Sequence, residues 1–232
     1  MEKEIRIIEG EQAELRLLGE TGRTVEGYGI VFNSPSSLIG TRDGKGFIEV
    51  IKPEAGEGII ENNDIGSYLN HNQNKGILAR SLRGEGSLRL SVDGKGVKYS
   101  FEAPNFDLGD ELIEGIKRGD IRGSSFGFIV DPKDAKLERR ADGVWVRSIT
   151  KFSGVFDISP VYTGAYPDAS VALRSLEEVE KQEELEIAQR AEEEAKLAAE
   201  KTVVEPIVEP YVQSEEERFL QIKNDYLQLN NY

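Results

Sequence analysis

The chain has 232 residues, 38% hydrophobic and 31% charged, with 24 glycines, which fits one ordinary globular domain carrying a solvated appendage. A net charge of −14 argues against general nucleic-acid binding, because phosphate contact draws on clustered Lys and Arg. Cysteine is absent, no apolar run follows Met1-Glu2-Lys3, and no window reaches the roughly 18 apolar residues of a membrane span, so disulfides, a signal peptide and membrane insertion are not expected and an intracellular compartment is.

Up to about Arg174 the sequence reads as short strands between Gly, Asn and Asp turns. "EGYGIVFN" (26–33), "SLRLSVD" (87–93), "GVKYSFEA" (96–103) and "GVWVRSIT" (143–150) alternate apolar residues with polar or small ones. Asp43-Gly44, Asp93-Gly94 and Asp142-Gly143 are candidate hairpin turns, since Gly tolerates positive φ. The pattern predicts a mainly β fold with few helices, an antiparallel barrel or sandwich. One helix interrupts it at "DLGDELIEGIKRGD", with Leu112, Ile113 and Ile116 on one face, Asp107 or Asp110 as cap and Gly119 as stop.

Residues 1–174 therefore form the first expected domain, and the rest is a different kind of chain. From Ser175 to Lys201 there are ten Glu against four Lys and Arg, with no Gly or Pro, and this predicts an acidic Glu/Ala-rich helix. Its stripe of Leu185, Ala188, Ala191, Ala195 and Ala198 is mostly small. Residues 202–213 contain the repeated Val-Glu-Pro and read as an extended linker. Residues 214–232 read as a second amphipathic helix, with Ser214 and Glu217 as capping box and Phe219, Ile222, Tyr226 and Leu229 on one face. That face is a docking candidate; a solvated charged helix without a partner is the other reading.

The single histidine, His71, lies in "SYLNHNQNKG", where a short apolar segment opens into a polar loop. Such a place suits a general base held by a rigid element yet reachable by substrate. In "GDIRGSSFGFIV", an extended reading puts Ser124, Phe126, Phe128 and Val130 on one face and Gly123, Ser125 and Gly127 on the other. The aromatic face is core, so Ser124 needs an internal hydrogen bond, while Ser125 projects from a face cleared of side chains and is the candidate nucleophile. Glycines around a strand serine also simply permit a close crossing or bulge. With no second histidine available, a third member orienting His71 is expected to be acidic. Asp157 in "GVFDISPVYTG" is the candidate: Phe156 and Ile158 face one way and Val155, Asp157, Ser159 and Val161 the other, and a carboxylate in so apolar a strand requires a partner. A hydrogen-bonded structural Asp is the alternative.

Taken in order, "EGYGIVFN", "YLNHN" with "GILARS", "RGDIRGSSFGF" and "FDISPVYTGAYPDASVALRS" resemble the prohead protease family of tailed bacteriophages, serine peptidases that mature capsids, over roughly residues 24 to 176. The resemblance implies an assemblin-like antiparallel β-barrel, related to the herpesvirus capsid maturation proteases, followed by the C-terminal helical tail. By position it carries the family's histidine onto His71, its nucleophile onto Ser125 and its late acidic residue onto Asp157. No metal is expected, since the only histidine has no Cys partners and zinc sites draw several N or S ligands, and no cofactor is expected either. Gly164-Ala165-Tyr166 and Leu78-Ala79-Arg80 depart from the family's usual Pro-Ala-Tyr and Leu-Gly-Arg. The implied substrates are scaffold or the scaffolding segment of the major capsid protein, and the protease itself, inside an assembling procapsid in the host cytoplasm. The tail is then a candidate contact to capsid, scaffold or portal, and a homo-oligomer is left open. Two rivals stand beside this reading: a noncatalytic assembly protein that uses the barrel as a binding module, and an unrelated ester hydrolase, disfavoured by the lack of strand–helix alternation.

Overall fold

The computed structural model describes residues 2–19, 22–40, 46–162, 181, 185, 187–196 and 212–229. The chain divides into two compact units, Met1–Lys181 and Gln182–Tyr232. The described strands of the first unit are β1 (Glu4–Ile8), β2 (Arg16–Leu18), β3 (Thr24–Val31), β4 (Ile39–Gly40), β5 (Gly46–Ile51), β6 (Asp64–Ser67), β7 (Ala79–Leu82), β8 (Glu85–Gly86), β9 (Arg89–Val92), β10 (Gly96–Glu102), β11 (Ile121–Ile129), β12 (Ala135–Arg139), β13 (Trp145–Ile149) and β14 (Gly154–Tyr162). They assemble into three sheets with the orders β1-β11-β14-β6-β7-β8, β2-β3-β10-β9 and β12-β13-β5-β4.

The mainly β expectation holds, but the sheets do not close into a barrel: no ladder joins β1 and β8, the two edges of the largest sheet. Nor is the pairing purely antiparallel. β13 runs parallel to β5, and β14 meets β6 in parallel at Asp157 and Gly66. Two of the predicted Asp-Gly turns connect antiparallel pairs. Asp93 links β9 to β10 and accepts the amides of Lys95 and Gly96, and Asp142-Gly143 joins β12 to β13. Asp43-Gly44 lies outside the described residues.

Alternation builds the core. On β11, Phe126 and Phe128 are fully buried and stacked at 5.1 Å, with Phe152 edge-on to both. Ser124 lies among them and shares a 2.9 Å hydrogen bond with Tyr99, the internal partner that its position required. The short helix α1 (Ile59–Asn62) precedes β6, and α2 (Asp107–Arg118) leads into β11 with Leu108, Leu112 and Ile113 buried. Gly119 ends α2 in the left-handed region, φ 79°, as its lack of Cβ allows. The predicted cap differs: Phe106 occupies the N-cap without a side-chain bond, while Asp107 sits inside the first turn and Asp110 turns outward to Arg23. Both acids still complement the helix dipole.

A second correction falls on β14. Opposite β11 the register runs Gly127 to Asp157 but Phe128 to Val155, so Phe156 is the extra residue of a β-bulge. Val155 and Ile158 thereby both reach the core, Phe156 is expelled to 40% exposure, and Asp157 is left on the face of Gly127.

Within the second unit the described residues form α3 (187–196) and α4 (Glu215–Leu229). The capping box of α4 is present: the Glu217 amide donates to Ser214 Oγ and the Ser214 amide to Glu217 Oε2. Phe219, Ile222 and Tyr226 are exposed, each by about two thirds. Most of the Val-Glu-Pro segment, and much of the predicted acidic helix, lie outside the described residues. No helix of the described residues is long and apolar enough to cross a membrane.

Candidate active site

Three neighbouring strands of the largest sheet bring the predicted residues together. β14 runs between β11 and β6. Ser125 is on β11, Asp157 on β14 opposite Gly127, and His71 ends the 3-10 turn Leu69–His71 that leaves β6. The turn is conformationally costly. Asn70 and His71 both have positive φ, 53° and 58°, a region that costs a non-glycine residue roughly 1–2 kcal/mol. Its anchors are buried Leu69, the Asn72 amide donating to the Leu69 carbonyl, and the Tyr68 amide donating to Ser159 Oγ. Backbone strain paired with such anchoring is how an irregular turn holds one side chain in one place.

His71 Nε2 stands 2.6 Å from Ser125 Oγ, and its Nδ1 stands 2.6 Å from Asp157 Oδ1. Nδ1 therefore faces the carboxylate and Nε2 the hydroxyl, an arrangement in which a proton placed on Nδ1 leaves Nε2 as the acceptor. Burial raises the free energy of the Asp157 carboxylate, but His71 and Lys3 outweigh it and hold the group below the ordinary value of 3.8. Its stabilising contribution is therefore fully present above that value and is lost as pH falls through the depressed folded value. Asp157→Asn should unfold at lower denaturant than wild type at pH 7, with the gap narrowing below pH of about 4, and, if His71 acts as a general base, should turn over peptide about 10⁴-fold more slowly because a neutral amide, able to donate as well as accept, no longer fixes the imidazole's tautomer or stabilises its cation. Urea unfolding at several pH values, alongside a peptide assay, checks both.

Two further residues belong to this arrangement. Ser159 Oγ donates to Asp157 Oδ1 at 3.2 Å, and Lys3 Nζ meets Asp157 Oδ2 at 2.9 Å. Ser159 was legible in outline, since it lies two positions from Asp157 on the same alternating face. Lys3 carried no sequence signal, being brought in from the far end of the chain by β1. Gly127 makes room for it: a Cβ there would lie 2.5 Å from Lys3 Cε and 2.9 Å from Asp157 Oδ2. The cleared face of β11 thus accommodates a charged contact rather than a mere strand crossing.

In comparison with known proteins, the model of the caudovirus prohead serine protease family matches residues 11–182. The chain belongs to this family. It is accordingly a serine protease of capsid maturation. Among solved structures it is similar to the bacteriophage T4 capsid assembly protease, gp21, at 13% identity, over 70% of this chain and 99% of that one, with a TM-score of 0.36. No curated protein matches the chain in sequence.

In this prohead protease Ser125 is fully buried, and what covers it is β1, which precedes the matched residues. β1 pairs antiparallel along β11, with Arg6 opposite Phe126 and Ile7 opposite Ser125, and the Ser125 hydroxyl donates to the Arg6 carbonyl at 2.7 Å. The hydroxyl has one proton and two acceptors in reach, His71 Nε2 and the Arg6 carbonyl, so a proton given to Arg6 is withheld from His71. β1 is held from behind by charge. Glu4 and Arg6 face the core and meet Glu49 of β5 and Arg147 of β13, four buried ionic groups of zero net charge. Ion pairing holds Glu4 below its usual range against the cost of its burial and raises Arg147. Nothing in the sequence pattern marked this tetrad, because its members are spread from position 4 to position 147.

Proposed function

We propose that Ser125 is the nucleophile, His71 its general base and Asp157 the residue that fixes the imidazole, and that the enzyme cleaves scaffold or the scaffolding segment of the major capsid protein, and its own chain, inside the assembling procapsid. The observation that carries the reading is the relay of two 2.6 Å contacts, Ser125 Oγ to His71 Nε2 and His71 Nδ1 to Asp157 Oδ1. In acylation Ser125 Oγ attacks the peptide carbonyl carbon as its proton passes to Nε2. The imidazolium, stabilised by ionised Asp157, returns that proton to the leaving amine. Water, deprotonated by the same nitrogen, then frees Ser125 from the acyl group. The Arg6 carbonyl takes up the Ser125 hydroxyl proton and β1 fills the edge of β11, so on this reading substrate binds as an added strand once β1 vacates that edge.

Intact mass of wild type and Ser125→Ala, each co-expressed with the capsid and scaffold proteins of the same phage, tests the assignment: trimming of capsid or scaffold protein and of the protease by wild type alone supports it. Trimming by Ser125→Ala overturns the nucleophile. The exposed Phe219, Ile222 and Tyr226 of α4 support a second part of the reading, in which the C-terminal segment docks the protease to capsid, scaffold or portal for packaging. Removal of residues 214–232 should then abolish incorporation into procapsids while leaving peptide hydrolysis within about twofold, and normal packaging of the shortened chain would refute it.

A further inference from the structure

β1 does more than cover Ser125: it presents an extended backbone to the nucleophile strand with two of its side chains read individually by the body of the enzyme. Arg6, whose carbonyl accepts from Ser125, sends its guanidinium into a closed site on the core side. There Nε and Nη2 bond the two carboxylate oxygens of Glu49 at 2.8 and 3.0 Å, and the group lies 5.4 Å from the centre of the Phe128 ring. Two residues earlier Glu4 receives both terminal nitrogens of Arg147, each at 2.8 Å. Glu49 and Arg147 are direct neighbours on β5 and β13 and bond each other at 2.9 Å, a pairing that does not itself involve β1. Fork-to-fork pairing of this kind selects both charge and planar shape.

We propose that Glu49 and Arg147 form the specificity subsites of the protease. Resting on the assignment of Ser125 as nucleophile, the inference is that substrate adds to the edge of β11 as an extended strand in the register β1 now holds. The residue whose carbonyl is attacked is then basic, Arg ahead of Lys, and enters the Glu49–Phe128 site. The residue two positions upstream is acidic and pairs with Arg147. An unmatched side chain would leave a buried carboxylate or guanidinium short of a partner, and this is what makes the discrimination steep.

The test uses the full chain, unaltered and as the double variant Glu4→Ala/Arg6→Ala, which loosens β1 while sparing the two subsite residues. A fluorophosphonate reports on Ser125 by mass. Peptides centred on Glu-Ile-Arg-Ile, and versions with the Arg replaced by Lys, Ala or Glu or the Glu by Ala, are scored for protection of Ser125 against that label and for cleavage. The Arg peptide should protect, and be cut after Arg, roughly 30-fold better than its Ala version, with the Glu version worse still. Glu49→Gln should compress the Arg-to-Ala ratio to about threefold or less, while its free enzyme, with Arg6 of β1 held less firmly, labels faster than wild type. Labelled Ser125 with equal protection by all peptides overturns the subsites, as does an Arg preference untouched by Glu49→Gln. Failure of Ser125 to label at all, in either chain, overturns instead the nucleophile assignment on which the inference rests. The peptide comparison needs no variant of Glu49, so a misfolded Glu49→Gln leaves it standing.

Discussion

Ser125→Ala is expected to lower peptide turnover by a factor of about 10⁶, to the residual rate that binding and surrounding dipoles sustain without a nucleophile. His71→Ala should cost about as much, and the double variant little more than either, because hydroxyl and imidazole act in one proton transfer rather than as independent contributions. The fold should survive. Ser125 lies in the middle of the β11 ladder and its backbone pairing does not involve the hydroxyl. What is lost is one buried hydrogen bond to the Arg6 carbonyl and the contact with His71, about 1–2 kcal/mol. Turnover measured with thermal unfolding separates the two effects. A Ser125→Ala protein that folds and still hydrolyses peptide above a thousandth of the wild-type rate would remove Ser125 from the nucleophile's role.

Arg147→Met should be the most destabilising of the single changes considered, by about 3–5 kcal/mol. Glu4, Arg6, Glu49 and Arg147 are each at most 7% exposed and sum to zero charge. Deleting one guanidinium leaves two carboxylates to share Arg6, with one excess negative charge sealed beneath β1. The reciprocal design should behave differently, since replacing all four groups with apolar residues of similar volume removes the desolvation cost with the pairing and is expected to be near neutral. Urea unfolding of the two variants checks this. A loss below about 1 kcal/mol for Arg147→Met would mean that water reaches the tetrad. Because Glu4 and Arg6 belong to β1, the same substitution should also loosen that strand and speed Ser125 labelling in whatever fraction stays folded.

Strand alternation alone separated Ser124 from Ser125: with period two, one serine had to join Phe126 and Phe128 in the core and the other had to leave it, and the Tyr99 bond and the His71 contact fall accordingly. The same logic singled out Asp157, since an acid inside an apolar strand demands a partner and the chain held a single histidine. The α2 face, its Gly119 stop and the Ser214–Glu217 cap were equally local matters, settled by residues within a few positions of one another. The bulge at Phe156 was beyond that reach, because it depends on which residues of β11 lie opposite β14. So were the parallel meeting of β14 with β6, the open sheet edges, and the arrival of Lys3 beside Asp157. Above all, local pattern had left the cleared face of β11 open for substrate, whereas tertiary structure fills its edge with β1 and locks that strand from behind through Glu49 and Arg147. Periodicity is a property of one segment and survives in the sequence; pairing between segments 40 to 150 residues apart is decided by the summed burial and charge matching of the whole fold, which no short stretch encodes.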